Sequence, residues 1–410
     1  MADDGINTNA GLVKVTGSAG SLSFSEMGKY DLTVKEIVLG ESLLNPGLQT
    51  AITFQSYIYN NKNLDQLKNT NLSMTLRSEL AGAMTFNQKI YRLDNREFMP
   101  INVGNTEEFT IHACDQTLLN DAKSLVSKSW KCETPDTIVE FALRSCAGAQ
   151  NIEVDSAQPA RDYVAENIHP FQVISQQANV ALDGGDPSFL HFMTFEEGGK
   201  HYFKSIRKLC QSGSVYKTYK HYETGVLGNH DYNRNRDAAI SFSFPCDFDL
   251  LSDLLNGVDE NGQNINSLTT VNPMNMATQL LGGLGLGGIG GMGGLASGSC
   301  GVGSGNPKQS VTNKGTNKTG CETDVEKHLL KRQARMALLE KDKIALRITV
   351  PWDPRLHVGK LIGLEWKNKK NGSMVYGSGT YLVASMMHKI QFGGFAVTTM
   401  DCVSQTAGGG

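Results

Sequence analysis

Two histidines, His191 and His201, hold the clearest potential for chemistry, because they lie on neighbouring segments that alternate like paired strands. Facing imidazoles can share a metal ion or relay a proton. A structural zinc site needs four ligands and a catalytic one at least three. The nine histidines contain no His-Glu-x-x-His and no Cys/His cluster at zinc spacing, so the pair reads as structural. The stretch Val258-Asp259-Glu260-Asn261-Gly262 resembles part of a calcium loop but lacks the earlier Asp and the closing Glu in register, which leaves a turn. Asp183-Gly184-Gly185-Asp186-Pro187 is a loop by composition. Glu196-Glu197 sits beside Gly198-Gly199, where a carboxylate pair is expected to be solvated. No Gly-x-Ser-x-Gly elbow and no cysteine in a nucleophile context is present, so the expectation is a non-enzyme without cofactor or metal.

Glycine offers a different chemistry. Of 44 glycines, many fall in QLLGGLGLGGIGGMGGLASGSCGVGSG. A phosphate-cradling loop would need Gly-Lys-Ser/Thr at its end, and no lysine follows at that spacing. Leu280, Leu281, Leu284, Leu286, Ile289, Met292 and Leu295 punctuate the glycines, which allows a membrane-contacting segment as the lesser alternative. The run has no aromatic anchor and no basic flank, and each glycine weakens a helix by roughly 1 kcal/mol. The favoured expectation is a loop ordered against partner subunits, with small side chains permitting close approach.

Composition bounds the partners. A formal charge of −3 over 410 residues argues against a dedicated nucleic-acid binder, yet permits passage of nucleic acid. The start, MADDGINTNAGLVKV, lacks a signal-peptide pattern, and no long apolar run suggests a spanning helix. Cys114, Cys132, Cys146, Cys210, Cys246, Cys300, Cys321 and Cys402 are scattered without CxxC spacing and read as free thiols made in a reducing cytosol.

The elements that must position these residues form blocks. Residues 1–28 are polar and Gly/Ser-rich, an expected flexible or partner-ordered arm. Residues 29–115 alternate apolar and polar side chains in five or more short runs, the pattern of an antiparallel barrel or sandwich. Residues 116–225 read as a small α+β domain. There Thr134 can cap and Pro135 can start a helix with Ile138, Phe141, Ala142 and Cys146 on one face and Gly148 at its end; Pro170 starts a second. Strands Phe189–Glu196 and Lys200–Ile206 follow, carrying Phe192, Tyr202 and Phe203, with Gly198-Gly199 expected to make a tight hairpin. Residues 226–256 and 342–405 together predict a second barrel, closed by a hairpin that contains Tyr381 and His388 and turns at Gly393-Gly394. Residues 257–341 are an insertion: a polar turn region, the Gly/Leu-rich loop, and an amphipathic helix over Glu322–Leu339. Residues 406–410 are a Gly-rich tail. The fold class is mainly β with α+β: two antiparallel barrels flanking a small α+β domain.

HPFQVISQQANVAL…PSFLHFMTFEEGGKHYFKSI, the helix of WKCETPDTIVEFAL, HVGKLIGLEW and GTYLVASMMHKIQFGGFAVTTMDCV together resemble the central baseplate hub proteins of contractile-tailed bacteriophages and related injection machines. Thr134, Pro135, Pro170, Phe192, Gly198, Gly199, Tyr202, Phe203, Tyr381, His388, Gly393 and Gly394 are the fold-defining positions of that resemblance. It implies a homotrimeric ring in the virion tail baseplate, assembled in the host cytoplasm. The two barrels of each subunit would face a sixfold tail tube or tube-initiator protein, and the other side a threefold central spike protein. Tape-measure protein and baseplate wedge proteins are further implied neighbours, and phage DNA would pass through the lumen during genome ejection. The alternatives are another β-rich tail-tip or tube-initiator protein, or a tail-associated hydrolase. The Gly/Leu-rich insertion is not part of the resemblance.

Overall fold

The structure, a computed structural model, describes residues 13–25, 32–57, 67–78, 82–98, 106–211, 214–221, 236–245, 267–271, 309–313, 332, 335–336, 339, 345–368, 370–392 and 396–404. Strands β1 (Val13–Ala19), β2 (Leu22–Ser25), β3 (Leu32–Ser42), β4 (Asn45–Tyr57), β5 (Asn71–Ser78), β6 (Gly82–Phe98) and β7 (Thr106–Cys114) come first. They pair in the order β3-β2-β1-β5-β6-β7-β4, and a further β3–β4 pairing closes the sheet on itself. Strict alternation explains the closure. Leu72, Met74 and Leu76 of β5 point inward, as do Ile37 and Leu39 of β3, Ile52 and Phe54 of β4, and Phe109 and Ile111 of β7.

This barrel corrects the expected arm at 1–28, since residues 13–25 are two of its strands. Val13, Val15, Ala19 and Phe24 are buried, and β1 pairs with β5 from Val13↔Ser78 to Ala19↔Leu72. Their alternation was hidden among Gly and Ser. Gly17 is required there: a Cβ would lie 2.4 Å from the Ser73 carbonyl oxygen and 2.5 Å from the Phe24 ring.

The middle region carries α1 (Gln116–Lys123), β8 (Val126–Glu133), α2 (Pro135–Phe141), β9 (Ile152–Val154), β10 (Arg161–Ile168), α3 (Pro170–Val180), β11 (Phe189–Thr194), β12 (Lys200–Ser205) and α4 (Ile206–Gln211). β8 pairs with β10, and β9, β12 and β11 form a three-stranded sheet. Pro135 and Pro170 each open a helix, where the absent N–H costs nothing. Thr134 precedes α2, but its hydroxyl meets the Thr137 hydroxyl at 3.0 Å and does not cap the backbone. α2 continues as a π-helical turn over Ala142–Ala147 and stops at Gly148 with φ of 74°. The wider turn shifts the buried face to Ile138, Val139, Ala142, Leu143 and Ala147; Phe141 and Cys146 sit at its half-buried margin.

The hairpin also differs from its expected form. Thr194 pairs with Lys200, so Phe195–Gly199 is a five-residue connection containing a short 3₁₀ turn, not a two-residue turn. Glu197 (φ 52°), Gly198 (φ 83°) and Gly199 (φ 127°) are all left-handed, which a Gly-Gly pair facilitates.

β13 (Val215–Lys220) leaves this region and pairs in parallel with β18, which places it in the second β assembly and not in the α+β domain. That assembly adds β14 (Ser241–Ser243), then β17 (Leu346–Pro351), β18 (Leu361–Glu365), β19 (Gly379–Gln391) and β20 (Ala396–Ser404). The order is β14-β17-β20-β19-β18-β13, and a bridge between Lys220 and Ala238 brings its ends together. β19 joins the two assemblies. Its first residues pair with β18 (Gly379↔Leu364 to Leu382↔Leu361) and its later ones with β3 (Ser385↔Ser42 to Gln391↔Glu36). The β19–β20 hairpin is present as expected, with Ile390 opposite Ala396; Gly393 and Gly394 lie outside the described residues.

Residues 246–342 form a separate compact unit. In it β15 (Ser267–Val271) pairs in parallel with β16 (Gln309–Asn313), so part of the expected polar turn region is a strand. Leu280, Leu281, Leu284, Leu286, Ile289, Met292 and Leu295 lie outside the described residues, as does most of the expected 322–339 helix. No helix among the described residues is long and apolar enough to cross a membrane.

Candidate functional site

The polar centre of the fold is Glu41. On β3 it continues the inward series Ile37, Leu39, and its side chain is fully buried. One carboxylate oxygen accepts from the Phe195 N–H at 2.8 Å and from His357 Nδ1 at 2.9 Å; the other accepts from the Val358 N–H at 3.0 Å. A single side chain thereby ties together the first barrel, the β11–β12 connection and the segment between β17 and β18. Burial alone would raise the Glu41 carboxyl, but His357, His388 and the Phe195 N–H hold it below the usual carboxylate range. His388, on β19, bonds Thr398 Oγ1 at 2.8 Å through Nδ1, and burial pulls it down to about 4.

Phe195 completes the joint from the apolar side. Its ring lies 4.9 Å from Phe86 of β6 and belongs, with Met193 and Trp352, to the first barrel's core. β7 pairs with β6 only from Lys89 onward, leaving Gly82–Gln88 paired on one edge by β5. The connection covers that opening, and Gly198 approaches so closely that a Cβ there would sit 3.4 Å from the Thr85 carbonyl oxygen. Beside it lies a cleft of about 590 Å³, walled by Ala83–Asn87, Glu196, Glu197, Arg355 and Lys360.

The two histidines do meet. Asp115 Oδ1 accepts from the Thr117 N–H at 2.7 Å and its hydroxyl at 2.6 Å, capping α1. Thr117 Oγ1 is 3.0 Å from His201 Nε2, and His201 Nδ1 is 3.1 Å from His191 Nε2. The Thr117 proton points to Asp115, so the network makes each Nε2 a donor along the chain. Burial lowers His201 to about 4 and His191 well below the ordinary histidine value, so both are neutral. Phe171 packs edge-on against both rings. Among the described residues no three His, Cys, Asp or Glu are grouped to hold a metal. The arrangement staples α1 to the hairpin.

Among the other residues singled out in the sequence, Phe192, Tyr202, Phe203 and Tyr381 are buried packing positions. Phe192 stacks on Tyr202 at 5.1 Å, Phe203 on Phe189 at 4.8 Å, and the Tyr202 hydroxyl donates to Glu196. Tyr381 donates to the Gly377 carbonyl at 2.5 Å. Glu41, Phe195 and His357 were missed in the sequence. The one local signal was a carboxylate occupying an inward position of YDLTVKEIVLGES.

No protein-family model and no curated protein sequence matches the chain. Its fold is that of phage tail proteins. The 43 kDa tail protein of prophage MuSo2 from Shewanella oneidensis is 12% identical with a TM-score of 0.55, over 96% of this chain and 98% of that one. The tail protein from Neisseria meningitidis MC58 is 10% identical with a TM-score of 0.53, over 96% and 97%. The E. coli c3393 protein is a component of the type VI secretion system and exhibits structural similarity to T4 bacteriophage tail proteins gp27 and gp5. It is 9% identical with a TM-score of 0.51, over 96% of this chain and 77% of that one.

Proposed function

We propose that the chain is a structural, non-enzymatic hub of a phage tail baseplate. Three copies form a ring that adapts a sixfold tail tube to a threefold central spike and leaves a channel for the genome. The observation that carries this reading is one strand, β19, shared by two closed β assemblies within one chain. Welding two barrels through continuous hydrogen bonding gives each subunit two similar modules, so a threefold ring presents pseudo-sixfold symmetry on the barrel side. The Glu41 joint makes the subunit rigid at the point where the α+β region meets both barrels. The Gly/Leu-rich insertion, including Leu284 and Ile289, is assigned to contact with partner subunits, and the domain division follows the two barrels and the middle region.

Light scattering or native mass spectrometry of the purified full chain tests the ring. A trimer is expected; a persistent monomer or a hexamer would count against the hub.

A further inference from the structure

The first half of β6 is bonded on one side only. Ile90 donates its N–H to the Thr70 carbonyl at 3.1 Å and accepts from the Asn69 N–H at 2.9 Å, so it bonds toward β5. Bonding direction alternates along a strand, and the β5–β6 register runs unbroken from Asn71↔Lys89 to Ser78↔Gly82. Met84, Phe86 and Gln88 therefore bond toward β5, while Ala83, Thr85 and Asn87 turn their N–H and C=O groups away from it. The Thr75 and Thr85 hydroxyls, 3.1 Å apart, fit a facing pair that exchanges no backbone bonds. β7 takes up the far side of β6 only from Lys89. Among the described residues the backbones of Ala83, Thr85 and Asn87 have no hydrogen-bonding partner on that side.

The β11–β12 connection, Phe195–Gly199, lies over this edge without pairing with it. A Cβ on Gly198 would stand 3.4 Å from the Thr85 carbonyl oxygen, and the Phe195 ring packs 4.9 Å from Phe86. Yet the connection's own polar groups are engaged elsewhere. The Phe195 N–H donates to Glu41 at 2.8 Å and the Glu196 N–H to Thr194 Oγ1 at 3.3 Å. The Gly198 N–H donates to the Phe195 carbonyl at 3.2 Å and the Gly199 N–H to the Glu196 carbonyl at 2.9 Å. Asn151 Nδ2 donates to the Glu197 carbonyl at 3.1 Å. A two-residue turn would join β11 to β12 and leave the edge bare. The longer connection holds Glu197, Gly198 and Gly199 at positive φ and so reaches over it. A bare strand edge is a template for another strand, and cover by a loop is one way to close it. This edge is also self-complementary. Antiparallel pairing centred on Thr85 would set Ala83 of one copy against Asn87 of another about a twofold axis.

We infer that the Phe195–Gly199 connection is a guard strap: by steric cover alone it denies the Ala83–Asn87 edge of β6 to the same edge of a second copy of the chain. The inference stands apart from the hub proposal, since its test is read against the mass of the wild-type assembly and not against a trimer.

The test is sedimentation velocity of the full chain over a range of concentrations. Gly198→Val puts a β-branched side chain at φ 83° and against the Thr85 carbonyl, which should lift the strap while Glu41 and Phe195 remain in place. Species larger than the wild-type assembly are expected, at about tenfold lower concentration than for wild type. Adding Thr85→Pro should abolish them, because it removes an N–H that faces the edge and no bond to β5. Thr85→Pro alone should leave the wild-type mass unchanged. If proline is not tolerated there, Thr85→Lys sets like charges against each other at the twofold and should act in the same way. If Gly198→Val does not fold, Gly198→Ala adds only a Cβ at the same φ and should give the same shift to a smaller extent. Two results would each overturn the inference: no larger species in the folded Gly198 variant, or larger species that survive the Thr85 substitution. The second would mark association through exposed apolar core.

Discussion

The Glu41 joint and a cavity of about 300 Å³ on the second barrel, lined by Tyr216, Lys217, Arg236, Asp237, Asp353 and Arg355, are both charged clusters built where remote segments meet, yet they are finished differently. At Glu41 one carboxylate accepts three hydrogen bonds out of contact with solvent. In the cavity the Arg236 guanidinium has no hydrogen-bonding or ion-pair partner among the described residues, and Arg355 beside it is exposed. A completed buried cluster holds a fold together, because removing one member strands the others; an incomplete, accessible one is available to something else. The contrast separates charges answered inside the fold from a charge that the described residues leave unpaired.

The sharpest way to break the comparison is Glu41→Ala. It leaves the Phe195 and Val358 N–H groups and His357 buried without their acceptor, and is expected to cost about 3–5 kcal/mol in denaturant unfolding. A loss below about 1 kcal/mol would mean the joint is not structural. Phe195→Ala removes the ring that fills the first barrel's opening and should cost roughly 3–4 kcal/mol, with the second barrel's hydrogen-exchange protection less affected. Equal loss of protection in both barrels would show that they unfold as one.

Acid comes next. His388 and His201 are held at about 4, below the ordinary 6.5. Between those values the unfolded chain binds more protons than the folded one. Their contribution is therefore fully present above about pH 6.5 and lost as pH falls toward 4, by up to about 3 kcal/mol each. Glu41, held below the usual carboxylate range, adds a loss in the same direction at lower pH. Urea midpoints measured from pH 7 to 4 should fall steeply, and less so in His388→Asn; a flat profile would sink this account. The smallest effect is expected at the cavity: Arg236→Gln should change unfolding free energy by no more than about 0.5 kcal/mol, since no internal partner is lost. A larger drop would make Arg236 another structural charge and erase the distinction.

Much of the molecule was legible in one dimension. Alternation in YDLTVKEIVL and LQTAITFQSYIY marks strands because side chains alternate between faces, and Pro135 and Pro170 mark helix starts because proline fixes φ and lacks an N–H. The two strands holding His191 and His201 were equally visible, though the five-residue connection between them was not. Tertiary structure alone decided the rest. Which strand neighbours which is non-local, so sharing of β19 between β18 and β3, and the capture of β13 by the second barrel, left no periodic trace. Glu41 and His357 stand 316 residues apart, and a carboxylate's role depends on the donors that topology brings to it. Composition reported a nearly balanced charge, while only the folded chain showed how particular charges, such as those of Glu41 and Asp353, are answered by remote segments.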